Sequence, residues 1–258
     1  MKPDAAKTPL IHSVKNGLRI IRLFTLDRPE IGITEISQAL DLPKSTVHRL
    51  VLELQQEGYL DKCADSSRYK LGLSLLTLSG VIITHMEIIR EAKPVLEELT
   101  RKLGEASHIA ILEDMEIIYL HKIDPPQPVP LLSSIGRSNP AVRTSAGKCI
   151  LAYQSKHLVR KIYENSIRAY SADGLPDWNR FLSELKAITD QGYAVAIDQL
   201  HIGATSIGAP VKDYTGQVIA AVSVVGPTDR IPADRIPLIA EAISKAAAVV
   251  SEKLGYYD

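Results

Sequence analysis

Two short runs of this chain carry side chains whose types and spacing have a chemical use. The first is Lys44-Ser45-Thr46-Val47-His48-Arg49, directly after Pro43. Short polar and cationic groups at the start of a helix suit base edges and phosphates in a DNA major groove. The second is Thr144-Ser145-Ala146-Gly147-Lys148. Small side chains at a helix start leave backbone N–H groups unshielded, which attracts a carboxylate or phosphate, although Thr144 or Ser145 would serve equally as a plain N-cap. A third pair, Asp198 and His201, stands three apart in a polar loop and has the groups for acid–base work, with a spacing that fixes no geometry. Other chemistries find no support. There is no HExxH or HxxxH pair and no P-loop or GxGxxG after a strand, and Cys63 and Cys149 lie far apart without metal spacing. No catalytic residue, metal or cofactor is expected.

To act on DNA, the first run must sit on a fixed helix. Val47, Leu50, Val51 and Leu54 recur at i, i+3, i+4 and i+7 and form one inward stripe. At about 100° per residue, Ser45, Arg49 and Gln56 then project the other way, flanked by His48 and Glu53, with Leu52 the apolar residue among them. Thr34 suits the N-cap of a shorter preceding helix, whose Ile36, Ala39 and Leu40 would pack on Val47 and Leu50. Asp41-Leu42-Pro43 supplies the turn, since proline disfavours helix in the residue before it and is comfortable in the first turn of the next. Upstream, Val14, Leu18 and Ile21, with Ile20 and Phe24 one strip over, predict a third helix ended by Asp27-Arg28-Pro29. Downstream, Gly58 stops the helix, and the segments around Tyr59-Leu60-Asp61 and Arg68-Tyr69-Lys70-Leu71 make a hairpin with a polar tip.

Three short helices followed by a hairpin outline a winged helix-turn-helix over residues 8–72. Its expected partner is double-stranded operator DNA. The expected contacts are Thr34, Lys44, Ser45, Thr46, His48 and Arg49, with Arg68 and Lys70 reaching the backbone from the wing. A polar helix face is more often merely solvated; the order of the elements is what favours DNA.

The 258 residues, 45% hydrophobic and 23% charged, suffice for about two domains with buried cores. Residues 1–72 hold eleven Lys and Arg against nine Asp and Glu, and the remainder nineteen against twenty-one. A head so weakly basic would bind DNA poorly in one copy, so two heads on two half-sites are needed to add their phosphate contacts. The opening Met-Lys-Pro-Asp has no apolar signal core, and no apolar run nears the roughly 18 residues of a membrane span. No membrane partner is therefore expected, and two distant cysteines suit a cytoplasmic setting.

Between the head and the rest, Leu71, Leu75, Leu78 and Ile82 form a stripe that Leu73, Leu76 and Ile83 widen. Residues 73–86 thus predict a linker helix apolar over much of its girth. Such a helix calls for a partner, and a homodimer is expected, with burial inside its own chain the alternative.

Residues 87–258 predict an α+β domain, one antiparallel sheet flanked by helices. Its helices are expected at 87–103, 149–154, 178–191 and 233–254, and its strands at 107–112, 116–123, 192–198, 204–211 and 217–225. The first two strands turn at Glu113-Asp114-Met115, and Asp124-Pro125-Pro126-Gln127-Pro128 is a loop. Thr205, Ser206 and Ser223 place hydroxyls on apolar strands; backbone carbonyls or a bound ligand would satisfy them.

With these elements placed, the chain resembles the IclR family of bacterial transcription regulators over nearly its full length. The resemblance rests on Leu42-Pro43-Lys44-Ser45-Thr46-Val47-His48-Arg49-Leu50, Tyr69-Lys70-Leu71-Gly72, Thr144-Ser145-Ala146-Gly147-Lys148, Gly192-Tyr193-Ala194 and Ala220-Ala221-Val222-Ser223-Val224-Val225-Gly226-Pro227, motifs that are specific together and weak singly. It implies a winged helix-turn-helix, a dimerising linker helix and a C-terminal GAF-like domain binding a small organic effector. It also implies a homodimer or dimer of dimers on operator DNA, acting as repressor or activator. Carried onto this chain, the effector contacts would be Ser145, Ala146, Gly147, Asp198, Ser206 and Ser223. Where the family commonly has an acidic pair this chain has Asp198-Gln199, and where many members have a cysteine it has Ser206. Family effectors are often carboxylates, in keeping with the anion reading of the helix start.

Two other functions fit parts of the sequence. One is an enzyme of small organic acids with a DNA-binding appendage, using Asp198 and His201, though no nucleophile elbow or cofactor motif accompanies them. The other is a ligand-independent architectural DNA binder whose second domain only oligomerises; a selective thermal response to a ligand separates it from a regulator.

Overall fold

Most of the inward stripes of the N-terminal third close on one another. The computed structural model describes residues 12–127, 134–170 and 175–257; residues 8–11 of the expected head, Pro128 of the proline-rich loop and Asp258 lie outside them. The chain forms two compact units that divide between His85 and Met86.

In the first unit, α1 (His12–Ile21), α2 (Ile33–Leu40) and α3 (Lys44–Gln56) enclose Ile20, Phe24, Ile36, Leu40, Val47 and Val51. The hairpin of β2 (Leu60–Lys62) and β3 (Arg68–Leu71) adds Leu60 and Tyr69 to this core. A short β1 (Ile31–Gly32) pairs with the other side of β3, giving an antiparallel sheet in the order β1-β3-β2.

Four expectations for this unit are corrected. α1 buries Gly17 and Ile20, whereas Val14 and Leu18 are 58% and 57% exposed. Gly17 faces α3, with Leu54 3.9 Å from where a side chain would begin, and a hydropathy stripe gives glycine no weight. α1 also ends at Ile21, before Asp27; Thr25 and Arg28 instead exchange two backbone hydrogen bonds. Thr34 is not the N-cap of α2. That helix starts two residues earlier, with Gly32 as the cap, because the Glu35 carboxylate reaches back to accept the Gly32 N–H at 2.9 Å. Ala39 is exposed, so Ile36 and Leu40 carry the packing of α2. The unit ends in α4 (Leu73–His85), which buries none of its residues.

The second unit starts with α5 (Glu87–Leu103), closed by Gly104 in the left-handed conformation. There follow β4 (Ala106–Glu113), β5 (Glu116–Ile123), β6 (Ser138–Pro140), α6 (Ser145–Leu151), α7 (Lys156–Tyr170), α8 (Trp178–Gln191), β7 (Ala194–Ile197), β8 (Ala204–Lys212), β9 (Val218–Pro227) and α9 (Ile236–Lys253). All six strands pair antiparallel in the order β6-β5-β4-β9-β8-β7. α5 and α9 pack with Ile109, Ile207, Val211, Val222 and Val224 on one face. α6, α7 and α8 pack with Ala110, Ile117, Ala194 and Ala221 on the other. The sheet is thus covered on both faces, which explains strands as apolar as β9.

The helix written as 149–154 spans Ser145–Leu151, with Thr144, one of the two expected N-caps, accepting the Gly147 N–H through its hydroxyl. β6 and α7 were not expected. β6 is three residues long and ends in a proline at the sheet edge, where a strand leaves little sequence trace. The N-terminal part of the strand expected at 192–198 is lost because Gly192, at φ 81°, caps α8. Among the described residues, no single helix is long and apolar enough to cross a membrane.

Candidate functional site

Strand register gathers one cavity. Ala196 of β7 lies opposite Ser206 of β8, and Ser206 opposite Val225 of β9; two residues along, Gly208 faces Ser223, which in turn faces His108 of β4. Alternation sends these residues to the same sheet face, the one that α6 covers. α6 comes close because two positions are glycine. A Cβ on Gly208 would stand 3.1 Å from the Ser145 carbonyl carbon and 3.2 Å from the Ala146 nitrogen. One on Gly147 would stand 2.2 Å from the Ala141 carbonyl oxygen. The buried Cys149 Sγ donates to the Gly208 carbonyl at 3.0 Å and ties α6 to β8.

Between α6 and the sheet lies a pocket of about 490 Å³, its mouth included. It is lined by His108, Tyr119, Arg143, Thr144, Ser145, Ala146, Ala196, Gln199, Leu200, His201, Ala204, Ser206, Ser223 and Val225. Four of the six residues expected there, Ser145, Ala146, Ser206 and Ser223, are present. Gly147 and Asp198 are not in the lining. Gly147 faces the Ala141 backbone, and its N–H is already given to Thr144. Asp198, exposed and at φ 55°, accepts the Gly203 N–H at 2.6 Å and so closes the loop that carries Gln199, Leu200 and His201 to the cavity. Asp198 and His201 therefore share no site. Thr205, a hydroxyl also noted in the sequence, pairs with the Thr228 hydroxyl at 3.1 Å.

Among the described residues, the lining holds the guanidinium of Arg143 and no carboxylate. Burial, opposed by an Asn139 hydrogen bond and the Arg137 charge, pushes the Tyr119 hydroxyl up to about 12, so it stays protonated. Burial, helped by the charge of Arg137, holds His201 below its ordinary 6.5. The Tyr119 ring leans on His108 with centroids 5.0 Å apart. The buried Gln199 Oε1 and His201 Nε2 have no hydrogen-bond partner among the described residues. Sequence reasoning missed His108, Tyr119, Arg143 and Gln199. Alternation back from Ala110 would have found His108, whereas the loop's approach depends on the Asp198 turn, which no motif records.

In the first unit, Lys44, Ser45, His48 and Arg49 are exposed on α3, with Thr46 half-buried beside them. Lys70 is exposed on the wing, and Thr34 is exposed in the first turn of α2. Arg68 lies against its own unit. Its pairing with Gly32 sets it beside α2, where Nε and Nη2 donate to the Glu30 carbonyl at 3.3 and 2.9 Å and Nη2 donates to Glu35 Oε1 at 3.1 Å.

Both units match known families. Residues 13–62 match the IclR helix-turn-helix domain, and residues 81–252 match the C-terminal domain of the bacterial transcriptional regulator IclR. The chain belongs to the IclR family. As an IclR-type regulator it is 33% identical over 258 residues to the HTH-type transcriptional regulator KdgR of Escherichia coli, spanning 99% of this chain and 97% of that protein. It is 31% identical over 245 residues to the HTH-type transcriptional regulator KipR of Bacillus subtilis, spanning 95% and 97%. Its fold also matches the crystal structure of an IclR homologue from Microbacterium hydrocarbonoxydans complexed with 4-hydroxybenzoate. There the TM-score is 0.80 at 24% identity over 94% of this chain and 98% of that one.

Proposed function

We propose that this IclR-type regulator binds operator DNA as a homodimer through the outer face of α3, and that a small hydroxylated organic acid in the cavity sets how tightly it does so. The cavity lining carries the effector assignment. Arg143 places a guanidinium at the cavity, and none of the described lining residues is acidic. The unpartnered Gln199 Oε1 accepts but cannot donate, so it calls for a hydroxyl or other donor on the same ligand. Leaving such a buried atom unmade costs about 1–3 kcal/mol, which a fitting ligand recovers. The homologue complexed with 4-hydroxybenzoate, itself a hydroxylated carboxylate, supports this chemical class. The separation of Asp198 from the cavity favours binding over turnover.

Pairing of two copies is favoured by α4. Leu73, Leu76, Leu78, Val81, Ile82 and Ile83 are all exposed on it. Each such side chain fully buried contributes about 1.5–3 kcal/mol, and a second α4 offers the matching surface. The reading contacts are assigned to Lys44, Ser45, Thr46, His48 and Arg49, with Lys70 from the wing, in a cytoplasmic setting; Thr34 stands beside them.

The test is a thermal-shift series with purified protein. Hydroxylated carboxylates should raise the melting temperature, their amides should not, and Ser206→Leu should abolish the response by filling the cavity. An equal shift by acid and amide would refute the carboxylate assignment.

A further inference from the structure

Glu35 of α2 accepts from three separate parts of the DNA-binding unit. Its Oε2 takes the Gly32 N–H at 2.9 Å and so caps α2. Its Oε1 takes Arg28 Nη2 from the turn before β1 at 3.1 Å, and Arg68 Nη2 from the wing strand β3 at the same distance. Arg68 Nη2 is also 2.9 Å from Oε2. The Gly32 backbone bond first, then the Arg28 bond and the Arg68 and Arg28 charges, outweigh desolvation and hold the carboxyl below its ordinary 4.5. Glu35 is therefore ionised at neutral pH.

Both arginine side chains are 42% exposed and Glu35 35%. Ion pairs this exposed stabilise a fold little. Their effect on charge is larger. Residues 1–72 exceed neutrality by only two positive charges, and this cluster occupies two of their guanidinium groups. Contacts with phosphate are independent of sequence and strengthen binding to any DNA.

We propose that Glu35 is a positioning residue for selectivity: it withholds Arg28 and Arg68 from DNA phosphates and fixes the wing beside α2, so that discrimination rests on the outer face of α3. The inference goes beyond family membership, because it assigns to a carboxylate next to the reading head the role of limiting binding to wrong sequences.

The experiment uses full-length protein and a random-sequence duplex, with the dissociation constant measured across a salt series. Glu35→Gln keeps an oxygen for the Gly32 N–H and removes the charge. It is expected to steepen the log–log salt slope by about 1 to 2, since each phosphate newly reached adds about 0.9. Preference for duplexes enriched by the native protein from a random pool is expected to fall. A purely structural role for Glu35 would weaken binding to both DNAs without steepening the slope, and that result, or an unchanged slope in a variant with native circular dichroism, overturns the proposal. Arg68→Gln decides the matter even if Glu35→Gln fails to fold. With Arg68 already occupied, its slope is expected to equal that of the native protein, whereas a slope shallower by about 1 means that Arg68 reaches phosphate and overturns the proposal.

Discussion

Lys148 of the Thr-Ser-Ala-Gly-Lys run is fully buried, and its ammonium is paired with Glu184 of α8. Burial lowers its pKa from the ordinary 10.5 while Glu184 opposes the shift. Glu184→Ala would strand that ammonium and is expected to destabilise the second unit by about 3 kcal/mol. Lys148→Met should cost far less, because Glu184 is 29% exposed and can be hydrated. Trp178, the chain's single tryptophan, lies on α8, so its fluorescence in a urea titration reads this unit alone. At the cavity, Arg143→Gln should weaken a carboxylate effector by about ten- to a hundredfold in calorimetry, the loss of a charged hydrogen bond. His201 adds a pH dependence of fixed sign. Its folded pKa lies below 6.5, so its contribution is complete above 6.5 and declines as the pH falls toward the folded value. His121, lowered mainly by burial and then by Lys93, acts in the same direction. The Trp178-monitored unfolding midpoint should fall between about pH 7 and pH 5, and His201→Gln should flatten that decline. These roles were not legible in sequence. Lys148 reads as part of a motif until the fold sets Glu184 against it, and His201 reads as half of an acid–base pair until Asp198 turns to Gly203.

At the scale of elements, legibility followed local signals. α8 was read at its full length because Asp177 caps it and Gly192 ends it. α5 likewise ends at Gly104 as expected. The start of α6 was legible in its Thr144 cap, but its extent was not, because Ser145, Ala146, Gly147 and Lys148 show no apolar stripe. α7 carries Val159, Ile162, Tyr163 and Ser166 at i, i+3, i+4 and i+7 on its buried face, a stripe present in the sequence but not read. Two elements invite direct tests. Gly147→Ala forces a Cβ into the Ala141 backbone and should cost about 1–3 kcal/mol in the same Trp178 assay. A paired Leu76→Glu and Ile82→Glu change on α4, where these residues are 67% and 61% exposed, should convert a dimer to monomers in sedimentation. A loss of melting temperature without dissociation would mean that α4 is covered by its own chain.

For the whole molecule, the near-neutral charge already favoured a reading head that works in pairs, whereas the cavity could be drawn only once β4, β8 and β9 had aligned His108, Ser206 and Ser223 on one face. The cavity belongs to the second unit and the reading face to the first. If ligand and operator are coupled, each must change the affinity for the other by the same factor. The most direct measurement is the dissociation constant for an enriched operator duplex, with and without a saturating hydroxylated acid that binds the native protein, repeated with Ser206→Leu. The account expects a shift of about five- to 150-fold in the native protein and none in the variant. An acid that binds the native protein yet leaves its operator affinity unchanged, or an equal shift in the variant, would contradict it.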